Sequence, residues 1–277
     1  MKGTGMRGKA LKKKKLLIVL GILLVLLLGQ WMYIGWRFQY GPFRKLGQMR
    51  LAKMEGNAEK YDFSYIQPMK DSPLEDKNIL FLGSSVTNGA AALYQSIPEY
   101  FGARMDCTYI KEAVDGTTLT DNGSDSYIQR LLNVDADAQI DFVICQLSTN
   151  DASKGLPLGE ISEKTELKEF DTATITGAIE YIICYAEQTW GCPVVFYTNA
   201  RFESDNYRAM VERLYQLADK WGIGILDLWS DDGFNQITET ERALYMKDSI
   251  HPYKSGYRDW WGPELERQLC DFLSGKA

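Results

Sequence analysis

Apolar residues are spaced along this chain in two different rhythms. From residue 16 to residue 28 no side chain is polar, and Gln30 is the only strongly polar residue before Arg37. As a helix, residues 16–36 would span about 31 Å, which matches the hydrocarbon core of a bilayer. Trp31, Tyr33 and Trp36 cluster at its C-terminal end, where amphipathic rings favour the headgroup level. Nothing in the segment is amphipathic, which argues against a buried core helix. Gly29-Gln30-Trp31-Met32-Tyr33 is too bulky for a signal-peptide cleavage site, so the pattern predicts an uncleaved anchor.

Beyond residue 76 the rhythm changes. Short apolar, β-rich runs at 78–83, 107–113, 142–147, 193–198 and 224–228 read as fully buried strands. Helical patterns separate them at about 90–102, 125–133, 172–190 and 204–221, with a last one at about 256–273. Asp171-Thr172-Ala173-Thr174, before Ile175, offers a plausible N-cap for the third of these helices. Strand–helix alternation predicts an α/β domain with a parallel sheet covered on both faces. The polar, Gly- and Pro-containing stretch 152–170 reads as a loop beside the C-terminal end of the third strand, where chemistry gathers in such sheets. Four parts are therefore expected: a basic tail (1–15), the anchor (16–36), a juxtamembrane spacer (37–76) and the domain (77–277).

Charge divides the chain in the same way. The first 54 residues hold twelve Lys or Arg and no acid, which leaves 19 bases against 37 acids in the rest, a net charge of −18. An acidic body of this kind repels phosphates and is a poor partner for nucleic acid. Seven bases precede the apolar run and five follow it within 18 residues. That bias keeps the tail cytoplasmic and the body outside the cell membrane. The five cysteines (107, 145, 184, 192 and 270) are odd in number and match no metal-binding spacing.

Three segments carry candidate chemistry. The first strand runs into Gly83-Ser84-Ser85-Val86-Thr87-Asn88-Gly89, a small-residue turn that suits either a nucleophilic serine or a bound anion. The third ends in Gln146-Leu147-Ser148-Thr149-Asn150-Asp151, which is either a strand-terminating Asx turn or an amide donor with a supporting carboxylate. His251 is the only histidine, in Asp248-Ser249-Ile250-His251-Pro252. A histidine general base must therefore be this residue, with Asp248 close enough to orient its ring. Asp121, Asp125, Asp135 and Asp137 read as a solvated acidic face rather than a cation site. Trp260 and Trp261 could stack on a sugar, although an amphipathic final helix would bury at least one of them.

Together these segments resemble the SGNH/GDSL hydrolase family over about residues 78–273. Gly83-Ser84-Ser85 stands where the family has Gly-Asp-Ser, which matches Ser85 to its nucleophile. Asp115-Gly116-Thr117-Thr118 looks like the second block, with Gly116 as its oxyanion-hole glycine. Ser148-Thr149-Asn150-Asp151 resembles Gly-x-Asn-Asp, with Asn150 as the oxyanion-hole amide, and Asp248-Ser249-Ile250-His251 matches Asp-x-x-His in full. Ser84 replaces the usual Asp, and Ser148 replaces a Gly with a side chain that could narrow the acyl site.

The resemblance implies a flavodoxin-like three-layer α/β/α sandwich with a five-stranded parallel sheet in the order 2-1-3-4-5. It also implies a serine esterase with catalytic Ser85, Asp248 and His251, and an oxyanion hole formed by Ser85, Gly116 and Asn150. Such chemistry needs no metal or organic cofactor. A tethered outer body would most easily meet O-acylated glycans or wall polymers. A transferase of acyl groups, or a catalytically silent surface-binding module, are the rival expectations.

Overall fold

The computed structural model describes residues 4–38 and 41–275. The chain divides into two compact units, one ending at Lys53 and the other running from Met54. In the first unit a helix spans Thr4–Phe38, and a second spans Pro42–Leu51. The stretch Lys13–Gly35 is long and apolar enough to cross a membrane. Its large apolar side chains from Leu16 to Leu28 are all exposed, on every side of the helix. Trp31 meets Phe43 edge-on, with ring centroids 5.9 Å apart.

In the second unit five strands form one sheet: β1 (Asn78–Gly83), β2 (Thr108–Ala113), β3 (Phe142–Gln146), β4 (Val194–Tyr197) and β5 (Gly224–Leu226). All pairs are parallel, and the order is β2-β1-β3-β4-β5, as the family resemblance implied. The two-residue period of a strand sends alternate side chains to opposite faces. Leu80, Leu82, Val143, Cys145, Val194 and Phe196 thus pack on one side with the helices Tyr127–Leu132, Ile175–Trp190 and Asp205–Trp221. Ile79, Phe81, Phe142, Ile144, Val195 and Tyr197 pack on the other with Ile97–Met105 and Gly262–Leu273. The result is a three-layer sandwich with two cores.

The structure changes some local expectations. β2 is not fully buried: Thr108, Tyr109 and Ile110 are exposed, because an edge strand has one neighbour and incomplete cover. The helix expected from about residue 90 starts only at Ile97, where Ser96 and Glu99 form a reciprocal capping box. Such a box satisfies two N–H groups that the first turn leaves unpaired. Before it, the short helix Ser85–Asn88 ends at Gly89, whose φ of 75° suits glycine. Thr174 caps the helix Ile175–Trp190 by accepting from the Gly177 N–H.

Residues 54–76, read in the sequence as part of a spacer, are built into the second unit. Tyr61, Phe63 and Leu74 are buried there. The Asn57 amide donates to the Ala91 carbonyl at 2.8 Å and accepts from the Lys254 N–H at 3.0 Å. Lys254 also pairs with Asp62 at 3.0 Å, which ties this segment to the chain just after His251.

Candidate active site

The site lies at the C-terminal ends of β1, β2 and β3. At Gly83 a Cβ would lie 1.7 Å from the Thr87 hydroxyl oxygen, so the chain can turn this sharply only with glycine. Ser85 follows as the first residue of its short helix, with 8 % of its surface exposed. The turn is held from below by Gln146 on β3. Its Oε1 accepts from the Ser84 N–H at 2.9 Å and from the Thr87 hydroxyl at 2.8 Å. Thr87 in turn lies 2.6 Å from the Tyr197 hydroxyl.

Ser85 Oγ is 2.8 Å from His251 Nε2, across 166 residues of sequence. On the other side of the ring, Nδ1 lies 2.9 and 3.0 Å from the two carboxylate oxygens of Asp248. In the neutral imidazole, Nδ1–H then donates to the carboxylate and Nε2 accepts from the serine hydroxyl. The Asp248 carboxylate also accepts the backbone N–H groups of Ile250 and His251, at 2.9 and 2.8 Å. Partial burial pushes the Asp248 pKa up. The hydrogen bond and electrostatic attraction of the imidazole, with the two N–H groups, outweigh burial and hold the acid below the usual carboxylate range. The loop itself is closed by the Lys247 N–H donating to the His251 carbonyl at 2.9 Å and by an antiparallel bridge from Met246 to Pro252.

The second half of the site is a clamp between two loops. Gly116 is exposed, with a φ of 80° that side-chain-bearing residues rarely adopt. Asn150 stands in the first turn of the helix Thr149–Lys154 and donates from Nδ2 to the Thr117 carbonyl at 2.8 Å. An amide nitrogen carries two N–H donors, and this bond uses one of them. Asp151 is fully buried and accepts the N–H groups of Leu119 and Thr120 at 2.8 and 3.1 Å. Burial pushes its pKa up against the pull of these donors.

Every residue expected from the sequence thus lies in one of these two clusters, Ser85, His251 and Asp248 in the first and Gly116 and Asn150 in the second. Ser148 behaves differently from expectation: its buried hydroxyl caps the helix by accepting from the Asp151 N–H at 3.3 Å. A serine in the place of glycine acts as a helix cap there. Trp260 and Trp261 are both buried, and Trp260 stacks on Phe234 at 4.7 Å, so neither serves as an open sugar platform. The role of Gln146 as a support of the serine turn is not evident from its place in the strand-end segment alone. The signal was a polar residue ending an otherwise apolar buried strand, since such a group needs partners.

The sequence profile of the GDSL-like lipase/acylhydrolase family matches residues 81–258. No curated protein matches the chain by sequence. Among solved structures, a Lactobacillus plantarum protein is similar with a TM-score of 0.58 and 22% identity, over 73% of this chain and 99% of that one. A Bacteroides ovatus protein assigned as a GDSL-like lipase is similar with a TM-score of 0.53 and 18% identity, over 73% and 99% of the two chains. A Desulfitobacterium hafniense protein assigned to the lipolytic G-D-S-L family is similar with a TM-score of 0.52 and 20% identity, over 70% and 100%. These three show the fold. The profile spans well over half of the chain, from the first strand past the histidine loop, so the chain belongs to the GDSL-like lipase/acylhydrolase family and is an ester-hydrolysing enzyme.

Proposed function

We propose that the enzyme cleaves short-chain acyl esters of an extracellular carbohydrate or wall polymer through a covalent serine ester. His251 takes the proton of Ser85 as Oγ bonds to the ester carbonyl carbon, and Asp248 holds the imidazole in the tautomer that can accept it. Negative charge moves to the carbonyl oxygen, where the N–H groups of Ser85 and Gly116 and the free N–H of Asn150 receive it. Each such donor is worth about 3 kcal/mol in the transition state. His251 then passes its proton to the alcohol oxygen as the old ester bond breaks. Water repeats the sequence in reverse on the acyl-enzyme and releases the acid. What supports this reading above all is the hydrogen-bonded line from Ser85 through His251 to Asp248.

Hydrolysis is favoured over transfer to another sugar because His251 and Asp248 are open to solvent. Residues 16–36 anchor the enzyme with the basic tail in the cytoplasm, and the glycan preference follows from where the body then stands. Burial raises the pKa of the thiols of Cys107 and Cys192 to about 11, so they stay unreactive in an oxidising compartment.

The test is turnover of acetylated oligosaccharides and p-nitrophenyl acyl esters by the full chain beside Ser85→Ala. Equal hydrolysis by both would rule out the serine mechanism, and hydrolysis of lipid esters alone would rule out the glycan. Failure of the wild type to react with a fluorophosphonate would mark a silent binding module. Labelling of single cysteines engineered into 152–170 by an impermeant reagent in intact cells tests the orientation.

A further inference from the structure

The helix Tyr127–Leu132 carries a buried guanidinium that pairs directly with no carboxylate among the described residues. Arg130 is 5 % exposed, and among the described residues it forms no ion pair. Its N–H groups go to four neutral oxygens. Nη2 donates to the Gly83 carbonyl at 2.7 Å and to the Thr117 hydroxyl at 3.2 Å. Nε donates to the Asp125 carbonyl at 3.1 Å, and Nη1 to the Glu112 carbonyl. The guanidinium carbon also lies 5.1 Å from the centre of the Tyr127 ring. Burying a charge without a counter-charge is costly, and an apolar side chain of similar size would fill the space at less cost.

The identity of the acceptors supplies the reason. Gly83 is the last residue of β1, two before Ser85, and Glu112 leads from β2 into the loop of Gly116. Thr117 follows Gly116, and its carbonyl is the acceptor of the Asn150 amide. One planar fork therefore touches the turn of Ser85 and the loop of Gly116 and, through Thr117, reaches the amide of Asn150. We propose that Arg130 is a positioning residue that fixes the mutual register of the three oxyanion donors. A lysine cannot substitute, because its donors radiate from one atom and do not span strand ends and loop together. This inference rests on the acyl-transfer reading above.

The test compares Arg130→Lys, Thr117→Val and the double variant in the full chain. The readouts are kcat and KM for p-nitrophenyl acetate, the rate of fluorophosphonate labelling at Ser85, and the pH–rate profile. Arg130→Lys should lower kcat by about 10–100-fold with KM changed less than about threefold, because donors are misplaced only in the transition state. Labelling should slow in step, and the pH profile should keep its midpoint because Asp248 and His251 are untouched. Thr117→Val, which also loses the hydroxyl's bond to the Val114 carbonyl, should lower kcat by about 5–20-fold, and the double variant should fall no further than the worse single one, since both remove the shared bond from Nη2 to the Thr117 hydroxyl. Arg130→Lys with kcat within twofold of wild type, or losses that multiply in the double variant, would overturn the proposal. If Arg130→Lys does not fold, Thr117→Val decides alone, and kcat within twofold of wild type overturns it. A wild type that resists the fluorophosphonate overturns the serine reading itself and this inference with it, whereas rapid labelling of wild type and Arg130→Lys alike overturns only the inference.

Discussion

On the imidazole side of the site, Asp248 and His251 stand three residues apart on one loop, with side chains 43% and 26% exposed. Their contacts are short in sequence, apart from the reach to Ser85. On the oxyanion side, Asp151 and Arg130 are buried and tie together four stretches of chain: the ends of β1 and β2, the loop after Gly116 and the helix after β3. The proposed chemistry explains the contrast. A general base exchanges protons with solvent and with a departing alcohol, so openness serves it. Oxyanion donors work only if already aimed, so rigidity serves them. Substitutions on the imidazole side should therefore cost mainly rate, with only a small loss of stability, and those that unpair the buried groups of the oxyanion side should cost stability more heavily.

The sharpest break is Ser85→Ala, which should abolish turnover of p-nitrophenyl acetate and leave the thermal midpoint unchanged. Asp248→Asn should lower kcat by about 10³–10⁴-fold with the fold intact, because the wrong imidazole tautomer then faces the serine. A melting curve far below wild type would place Asp248 in the scaffold instead. Asn150→Ala should cost about 10²–10³ in kcat with little change in KM, as removal of one oxyanion donor does. Asp151→Ala orphans two buried N–H groups and should lower the thermal midpoint by about 5–10 °C. A stable Asp151→Ala enzyme would erase the contrast between the two sides.

Thermal melts across acidic pH sharpen the comparison further, because the two carboxylates shift in opposite directions. Asp248 has a folded pKa below its ordinary 3.8. Its charged form adds stability that is present above that value and lost as pH falls through the folded one. The advantage of wild type over Asp248→Asn should narrow only below about pH 3.8, and modestly, since the group is partly exposed. Asp151 has a folded pKa above 3.8, so its protonated form is the better tolerated. Wild type should gain on Asp151→Asn as pH falls through the folded value toward 3.8. The smallest effect belongs to Ser148→Gly, which should lower stability by a few tenths of a kcal/mol through the lost cap and leave kcat within about twofold.

The strands were readable because a buried parallel strand is a short run of apolar residues, and β1 occupies the expected span 78–83. The apolar run of β2 looked the same, yet its first three residues are exposed. An apolar run records strand propensity, not how many neighbours a strand acquires. Ser148 shows a similar limit: one residue type serves as cap or obstruction according to the direction of its hydroxyl, and that depends on the backbone around it. The roles of Gln146 and Arg130 have no local signature because they rest on partners 62 and 47 residues away.

By itself the sequence determined the alternation of strand and helix and the apolar N-terminal span, and it singled out Ser85, Asp248 and His251 as the candidates for chemistry. Each of these depends on local spacing, on composition, or on there being one histidine in the chain. Only the tertiary structure decided that Ser85 and His251 meet at 2.8 Å across 166 residues. It also decided that Asn150 is held by Thr117, and that a buried arginine joins the ends of β1 and β2. Hydrogen bonds act over about 3 Å, and distance in space between residues far apart in the chain is set by how the whole sheet packs.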